Sequence, residues 1–277
     1  FPPSLAIEPD LGRALAAGDD VVLVVPSSAL RAVLTQIRPM LRDTARIAWA
    51  SKGFELSTGK LPHQVAREVL GPAVPIAVLS GPTFAKEVGQ GLPTAIAVAS
   101  PHDEYALELA ERISSGGFRA YTQSDIVGVE IGGAVKNVLA IATGCSDGLG
   151  YGSNSRVFLI TRGLAELMRL GVALGAKRET LMGLAGLGDL VLTCTDDQSR
   201  NRRFGRALAA GKPVEQAIAE IGQVVEGYHA AKAVHFVAGK HDVDMPICNY
   251  VYDVLHRGVP LKDVVASMLA REVTPEN

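Results

Sequence analysis

Continuous apolar runs that stop at Pro, Gly or Ser and give way to helical spacing recur through the first 120 or so residues, and this alternation limits the fold more than any other feature. Val21-Val22-Leu23-Val24-Val25 ends at Pro26-Ser27-Ser28. A run without polar interruption predicts a strand buried on both faces, as in a parallel sheet. Ser27 or Ser28 can cap the next helix, whose apolar positions Leu30, Val33, Leu34, Ile37 and Leu41 have helical spacing. Further strands are predicted at 47–50, 76–79, 94–99 and 118–122, with helices over 61–69 and 105–113. This is the βαβ pattern of a doubly wound sheet.

Beyond Asp125 the pattern is helical throughout. Helices are predicted over 126–142, 156–174, 201–210, 214–221, 225–238, 249–255 and 261–270, most of them punctuated by Gly or Pro. The expected organisation is an α/β domain over 1–124, a partial Rossmann-type doubly wound sheet, followed by an all-helical domain over 125–277.

Composition bears on partners. Lys plus Arg number 27 and Asp plus Glu 29, a formal net charge of −2. That balance gives no general electrostatic reason to hold a nucleic-acid backbone or an anionic membrane. The longest apolar runs fall well short of the roughly 20 residues of a spanning helix. Three widely spaced cysteines form no disulfide framework and no zinc spacing, which fits a reducing compartment. The opening Phe1-Pro2-Pro3-Ser4 has neither a signal-peptide pattern nor a Met, and reads as already mid-protein.

The glycine fingerprint of dinucleotide binding is not found; Gly183-x-x-Gly186-x-Gly188 has the wrong order and no strand before it. Nor is there a P-loop, an HExxH motif or a metal-ligand spacing among the six histidines. Three constellations remain. Ser51-Lys52-Gly53 follows a predicted strand, where open α/β sheets bind ligands. Lys52 reads there either as a turn lysine at the surface or as an anion holder beside a glycine that admits close backbone approach. Gly132-Gly133-Ala134-Val135-Lys136-Asn137 puts two glycines into a helix at a cost of about 1 kcal/mol each, so something needs the close approach they allow. Lys136, among Val135, Val138 and Leu139, is either a snorkelling interface lysine or one made a usable acid or base by partial burial. In the third, Gly188-Asp189-Leu190 precedes Ser199-Arg200-Asn201-Arg202-Arg203, which opens a helix. A capping serine, a helix N-terminus and guanidinium forks favour phosphate over a solvated basic turn, and Asp189 can orient a lysine ammonium.

These stretches, with Ser80-Gly81-Pro82-Thr83-Phe84-Ala85 and Gly186-Leu187-Gly188-Asp189-Leu190-Val191-Leu192-Thr193-Cys194-Thr195, resemble the bacterial NAD(P)-dependent glycerol-3-phosphate dehydrogenases along essentially the whole chain. The resemblance implies reversible hydride transfer between dihydroxyacetone phosphate and sn-glycerol 3-phosphate, feeding glycerophospholipid synthesis, by a cytoplasmic homodimer using NAD or NADP. It also implies a helical domain like the C-terminal domain of 6-phosphogluconate dehydrogenase. Residue by residue, it makes Lys136 the catalytic acid/base, supported by Asn137. Lys52, Gly81, Thr83, Lys136, Asp189, Ser199, Arg200 and Asn201 would hold substrate, and Lys52, Ala85, Arg200, Val224 and Glu226 would touch the cofactor. The family opens with a glycine-rich βαβ turn, which is expected to lie upstream of Phe1 and to be missing here. Two other readings stand beside this one: an impaired fragment that only binds a phosphorylated metabolite, and a related two-domain hydroxyacid dehydrogenase.

Overall fold

The computed structural model describes residues 4–270. After a short helix α1 (Leu11–Ala16), five strands form one sheet in the order β1 (Asp20–Leu23), β2 (Arg46–Trp49), β3 (Ile76–Ser80), β4 (Thr94–Ala99) and β5 (Phe118–Gln123). Helices α2 (Leu30–Ile37) and α3 (Pro62–Leu70) link β1 to β2 and β2 to β3, and both pairs are parallel. Helix α5 (Asp103–Ile113) links β4 to β5, again parallel. The strand β4 runs antiparallel to β3, with Val78 opposite Ala99 and Ser80 opposite Ala97. An antiparallel neighbour needs no crossover helix, and the connection holds only the five-residue α4 (Ala85–Gly89). The sheet is therefore mixed: the βαβ units β1–α2–β2 and β2–α3–β3 lie on one side of the antiparallel β3–β4 step and β4–α5–β5 on the other.

The expectation that 21–25 is buried on both faces is corrected. Strand β1 is the edge of the sheet, and Val22 and Val24 are 44% and 77% exposed. Leu23 is buried, so the strand alternates. The fully buried strand is β3, where all five residues are inside. Trp49, Ile47, Val78 and Ala99 pack one face with Leu34, Ile37, Val65 and Ala66; Leu79, Val98, Tyr105 and Leu109 pack the other.

The remaining elements are helical: α6 (Ile126–Gly148), α7 (Ser153–Ala173), α8 (Arg178–Leu181), α9 (Asp189–Thr195), α10 (Arg200–Ala209), α11 (Val214–Ile221), α12 (Glu226–Lys240), α13 (Pro246–His256) and α14 (Leu261–Leu269). A π-helical turn, Leu184–Gly188, joins α8 to α9. By packing, the chain divides into two compact units: Phe1–Ala134 with Leu174–Asp189, and Val135–Ala173 with Leu190–Asn277. Helix α6 is long and apolar enough by length and composition to cross a membrane, but 89% of its most apolar window is buried inside the protein. Its glycines explain how it sits. Within the first unit, a side chain at Gly132 would run into the carbonyl of Ala185 in the π-helical turn. Within the second, Gly144 abuts the carbonyl of Arg202 and Gly205 that of Ile141, so α6 and α10 cross at backbone contact.

Candidate active site

In the first unit the polar residues gather where β2 and β3 end. The Ser51 hydroxyl donates to the Val25 carbonyl at 2.5 Å and ties the end of β2 to that of β1. Gly53 then takes φ 112°, a conformation that favours glycine. Lys52, between them, donates from Nζ to Asp189 Oδ2 at 2.9 Å; its side chain is 19% exposed and that of Asp189 2%. Asp189 thus orients a lysine ammonium, and that lysine is Lys52. The stem of Lys52 lies against Gly133 of α6, where an added Cβ would stand 3.3 Å from its Cγ and Cδ and 3.2 Å from Ser80 Oγ. The two glycines therefore serve the close approach their helix cost demands: Gly132 to the π-helical turn, Gly133 to Lys52 and Ser80.

Ser80 was not foreseen. It ends β3 at 2% exposure, and its hydroxyl has no hydrogen-bond partner among the described residues. A buried hydroxyl without a partner costs about 1–3 kcal/mol and marks a place where a polar group can be received. Its one signal in the sequence is its position directly before Gly81-Pro82. Gly81 crosses the sheet closely, 3.3 Å from its would-be Cβ to the Ile96 Cα, and the Thr83 hydroxyl donates to the Gly81 carbonyl at 3.2 Å. Ala85 opens α4 and is exposed.

In the second unit a directional chain of hydrogen bonds fixes four residues. The Gly227 N–H donates to Asn201 Oδ1 at 2.9 Å, Asn201 Nδ2 donates to Asn137 Oδ1 at 2.9 Å, and Asn137 Nδ2 donates to Glu226 Oε2 at 3.1 Å. A carboxylate only accepts, so Glu226 settles the orientation of both amides. Glu226 and Gly227 are neighbours in α12, so the chain closes on itself through α6 and α10. Asn137 and Asn201 are 4% and 7% exposed. Lys136, one residue before Asn137, is 8% exposed and flanked by the fully buried Val135 and Val138. Partial burial of this lysine is therefore the geometry found, not a surface position.

Ser199 caps α10, its hydroxyl accepting from the Arg202 N–H at 3.2 Å. The three arginines that follow are not equivalent. Arg202 is buried and spent internally: its Nη2 lies 2.6 Å from Asp147 Oδ2, Arg156 reaches the same carboxylate at 2.8 Å, and Arg202 also bonds Asp197. Burial alone would raise the Asp147 carboxyl, but Arg156 and Arg202 outweigh it and hold the group below the usual carboxylate range. Arg203 is exposed. Arg200 is half-buried and, among the described residues, makes only a long contact, 3.5 Å to Gln223 Oε1, which leaves its fork the one best placed for a ligand. Val224 is 54% exposed. Of the predicted site residues, the structure joins Lys52 with Asp189, Gly81 with Thr83, and Asn137 with Asn201 and Glu226; Ala85 and Val224 belong to none of these groups.

The family model described as NAD-dependent glycerol-3-phosphate dehydrogenase C-terminus matches residues 125–266, and the corresponding N-terminus model matches residues 1–106. The second match gives no support to the expectation of a missing first βαβ unit. A relative from Aeromonas salmonicida, named glycerol-3-phosphate dehydrogenase, NAD(P)+, is 57% identical over 277 residues, covering 100% of this chain and 83% of its own. One of the same name from Colwellia psychrerythraea is 57% identical over 273 residues, 98% of this chain and 82% of its own. The crystal structure of glycerol-3-phosphate dehydrogenase from Coxiella burnetii has a TM-score of 0.94 at 47% identity, covering 98% of this chain and 83% of that one. D-mandelate dehydrogenase shares the fold alone, at 13% identity and a TM-score of 0.55. The chain belongs to the NAD-dependent glycerol-3-phosphate dehydrogenase family.

Proposed function

We propose that the protein interconverts dihydroxyacetone phosphate and sn-glycerol 3-phosphate with NAD or NADP. The observation that carries the reading is the Lys52–Asp189 pair beside the unpartnered Ser80 hydroxyl at the carboxyl ends of β2 and β3. Ligands of open α/β sheets bind at those ends. The donor set fits a nicotinamide dinucleotide: a buried hydroxyl can meet a carboxamide, and a lysine can meet an anionic phosphate. Lys52, Ala85, Arg200, Val224 and Glu226 are the residues assigned to it. When bound there, the dinucleotide would supply hydride to, or take it from, the substrate carbon C2.

In the first unit, Lys52, Gly81, Thr83 and Asp189 are assigned to the substrate. Asp189 keeps the Lys52 ammonium in one direction, and an ammonium carries three donors, so one bond to Asp189 does not exhaust it. In the second unit, Lys136 donates a proton to the oxygen at C2 as negative charge develops there and stabilises that charge; in the reverse direction it accepts the proton. Asn137, held by Glu226 and Asn201, fixes the helical turn that carries Lys136. Arg200 and the Ser199-capped start of α10 hold the phosphate, which turns remote binding energy into orientation. The second amide N–H of Asn201 is the donor this reading gives to substrate. A cytoplasmic homodimer working in glycerophospholipid synthesis completes the proposal.

The test is oxidation of NADH and NADPH by the purified protein with dihydroxyacetone phosphate and, separately, with 2-oxo acids. Turnover confined to the phosphate ester is expected. Turnover with a 2-oxo acid and none with the phosphate ester would refute the reading in favour of a hydroxyacid dehydrogenase. Binding of the phosphate ester without turnover would leave only a metabolite binder.

A further inference from the structure

Lys52 does not hold itself in place. It sits in the segment 50–62, which leaves the sheet after Trp49 and enters α3 just before His63. Both ends of that segment meet one side chain. Glu130 of α6, 1% exposed, accepts from the Trp49 indole N–H at 3.1 Å and from the His63 backbone N–H at 2.9 Å. Its second oxygen lies 2.5 Å from His63 Nδ1. The His63 N–H is among the first-turn donors of α3 that the helix itself cannot satisfy, so Glu130 acts as a cap supplied by another helix. One turn further along α6 stands Gly133, whose missing side chain makes room for the stem of Lys52. Within the first unit, α6 therefore grips the segment at both ends and seats its lysine in the middle.

We infer that Glu130 is a positioning residue: a single buried carboxylate that clamps the two ends of the segment 50–62 and so fixes where Lys52 can present its ammonium. A purely scaffolding carboxylate would have no reason to choose both flanks of one ligand-bearing loop. The effect on catalysis rests on the role given to Lys52 under the proposed function; the clamp itself does not.

The chain has a single tryptophan, Trp49, so its fluorescence reports the clamp directly. Three variants of the full protein are compared: Glu130→Ala, Glu130→Gln, and Glu130→Ala combined with Lys52→Ala, beside Lys52→Ala alone. With Glu130→Ala, a shifted Trp49 emission, faster amide exchange over 50–62, and a KM for dihydroxyacetone phosphate raised about tenfold are expected, kcat moving less, since all three hydrogen bonds to the loop ends are lost. Glutamine keeps an acceptor for both N–H groups, so Glu130→Gln should restore the KM to within roughly threefold. The double variant should be no worse than Lys52→Ala, because Glu130 acts through that lysine. Unchanged exchange over 50–62 in Glu130→Ala, or effects that multiply in the double variant, would overturn the inference. Should the protein lack dihydroxyacetone phosphate turnover, the proposed function fails, and exchange and Trp49 emission still decide the clamp. Should Glu130→Ala fail to fold, Trp49→Phe cuts one arm of it: faster exchange at the start of the segment upholds the clamp and wild-type exchange refutes it.

Discussion

The two units hold their candidate site residues by different chemistry. In the first, Lys52 is fixed by one ion pair with a nearly buried carboxylate. In the second, Asn137 and Asn201 are fixed by a run of amide hydrogen bonds that ends on Glu226. An ion pair steers one charge with a single bond, and it leaves an ammonium with donors to spend on a ligand. An amide chain dictates orientation at every member and stiffens the helices that carry it. The first arrangement suits a group that must meet ligands of changing charge. The second suits a frame that must keep the preceding residue, Lys136, where a proton is to be passed.

The comparison breaks most visibly at Lys136. Replacing it with alanine should lower kcat by roughly 10²–10⁴-fold, the range of general acid–base catalysis, while substrate binding measured by calorimetry changes little. Lys52→Ala should show the opposite balance, in KM. If the two substitutions give the same kinetic pattern, the division of labour between the units is wrong.

That division was only partly legible in the sequence. The strands, the long helices and the closeness demanded by Gly132 and Gly133 followed from local rules: apolar period, capping, and the cost of glycine inside a helix. The edge position of β1 did not, because a continuous apolar run reads the same whether one face or both are covered. That Arg202, unlike Arg200, is spent on internal carboxylates is hidden for a similar reason. Its partner Asp147 lies 55 positions away in the chain, where no local rule reaches. Trp49, His63 and Glu130 are three ordinary positions until the fold brings them together, and Ser80, beyond its place before Gly81-Pro82, stands out by lacking a partner among the described residues. Pairings over such distances are what tertiary structure adds.

Charge in the second unit offers the next test. Glu166 of α7 is buried and accepts from the Ile247 and Cys248 N–H groups at 2.6 and 3.1 Å. Burial pushes its carboxyl from 4.5 up to about 7, although those two N–H groups pull the other way. Its folded value lies above its unfolded one, so the folded protein binds the proton more tightly. The stability this gives is fully present below about pH 4.5 and is lost as pH rises through about 7, on the order of 3 kcal/mol in all. Denaturant unfolding at pH 5 and pH 8 should therefore show a steeper loss for the native sequence than for Glu166→Gln. Equal losses would mean that the second unit bears its buried charge at no cost.

A smaller effect is expected from Asp189→Asn, which keeps shape and removes the charge that steadies Lys52. Cutting one member of a largely buried pair is worth about 2 kcal/mol in ligand binding, roughly a 30-fold rise in KM. Thermal unfolding in parallel separates this from general loosening. A KM that stays at the native value would show that Lys52 is held by the Gly133 groove and the ends of its segment rather than by the ion pair.

The smallest effect falls on Arg200, and it asks whether the second unit also uses charge on a ligand. Arg202 and Arg200 stand two residues apart in α10, yet Arg202 is committed to Asp147 and Asp197 while Arg200, among the described residues, has only the long contact to Gln223. Arg200→Lys preserves the positive charge and removes the planar fork that meets two phosphate oxygens at once. Loss of one such bond costs about 1 kcal/mol, a roughly fivefold rise in KM for dihydroxyacetone phosphate with kcat nearly unchanged. The same substitution at Arg202 should instead lower the unfolding temperature and leave KM alone, since its fork bridges Asp147 and Asp197 inside the protein. If Arg200→Lys behaves like Arg202→Lys, the start of α10 is structural, and the phosphate is held elsewhere.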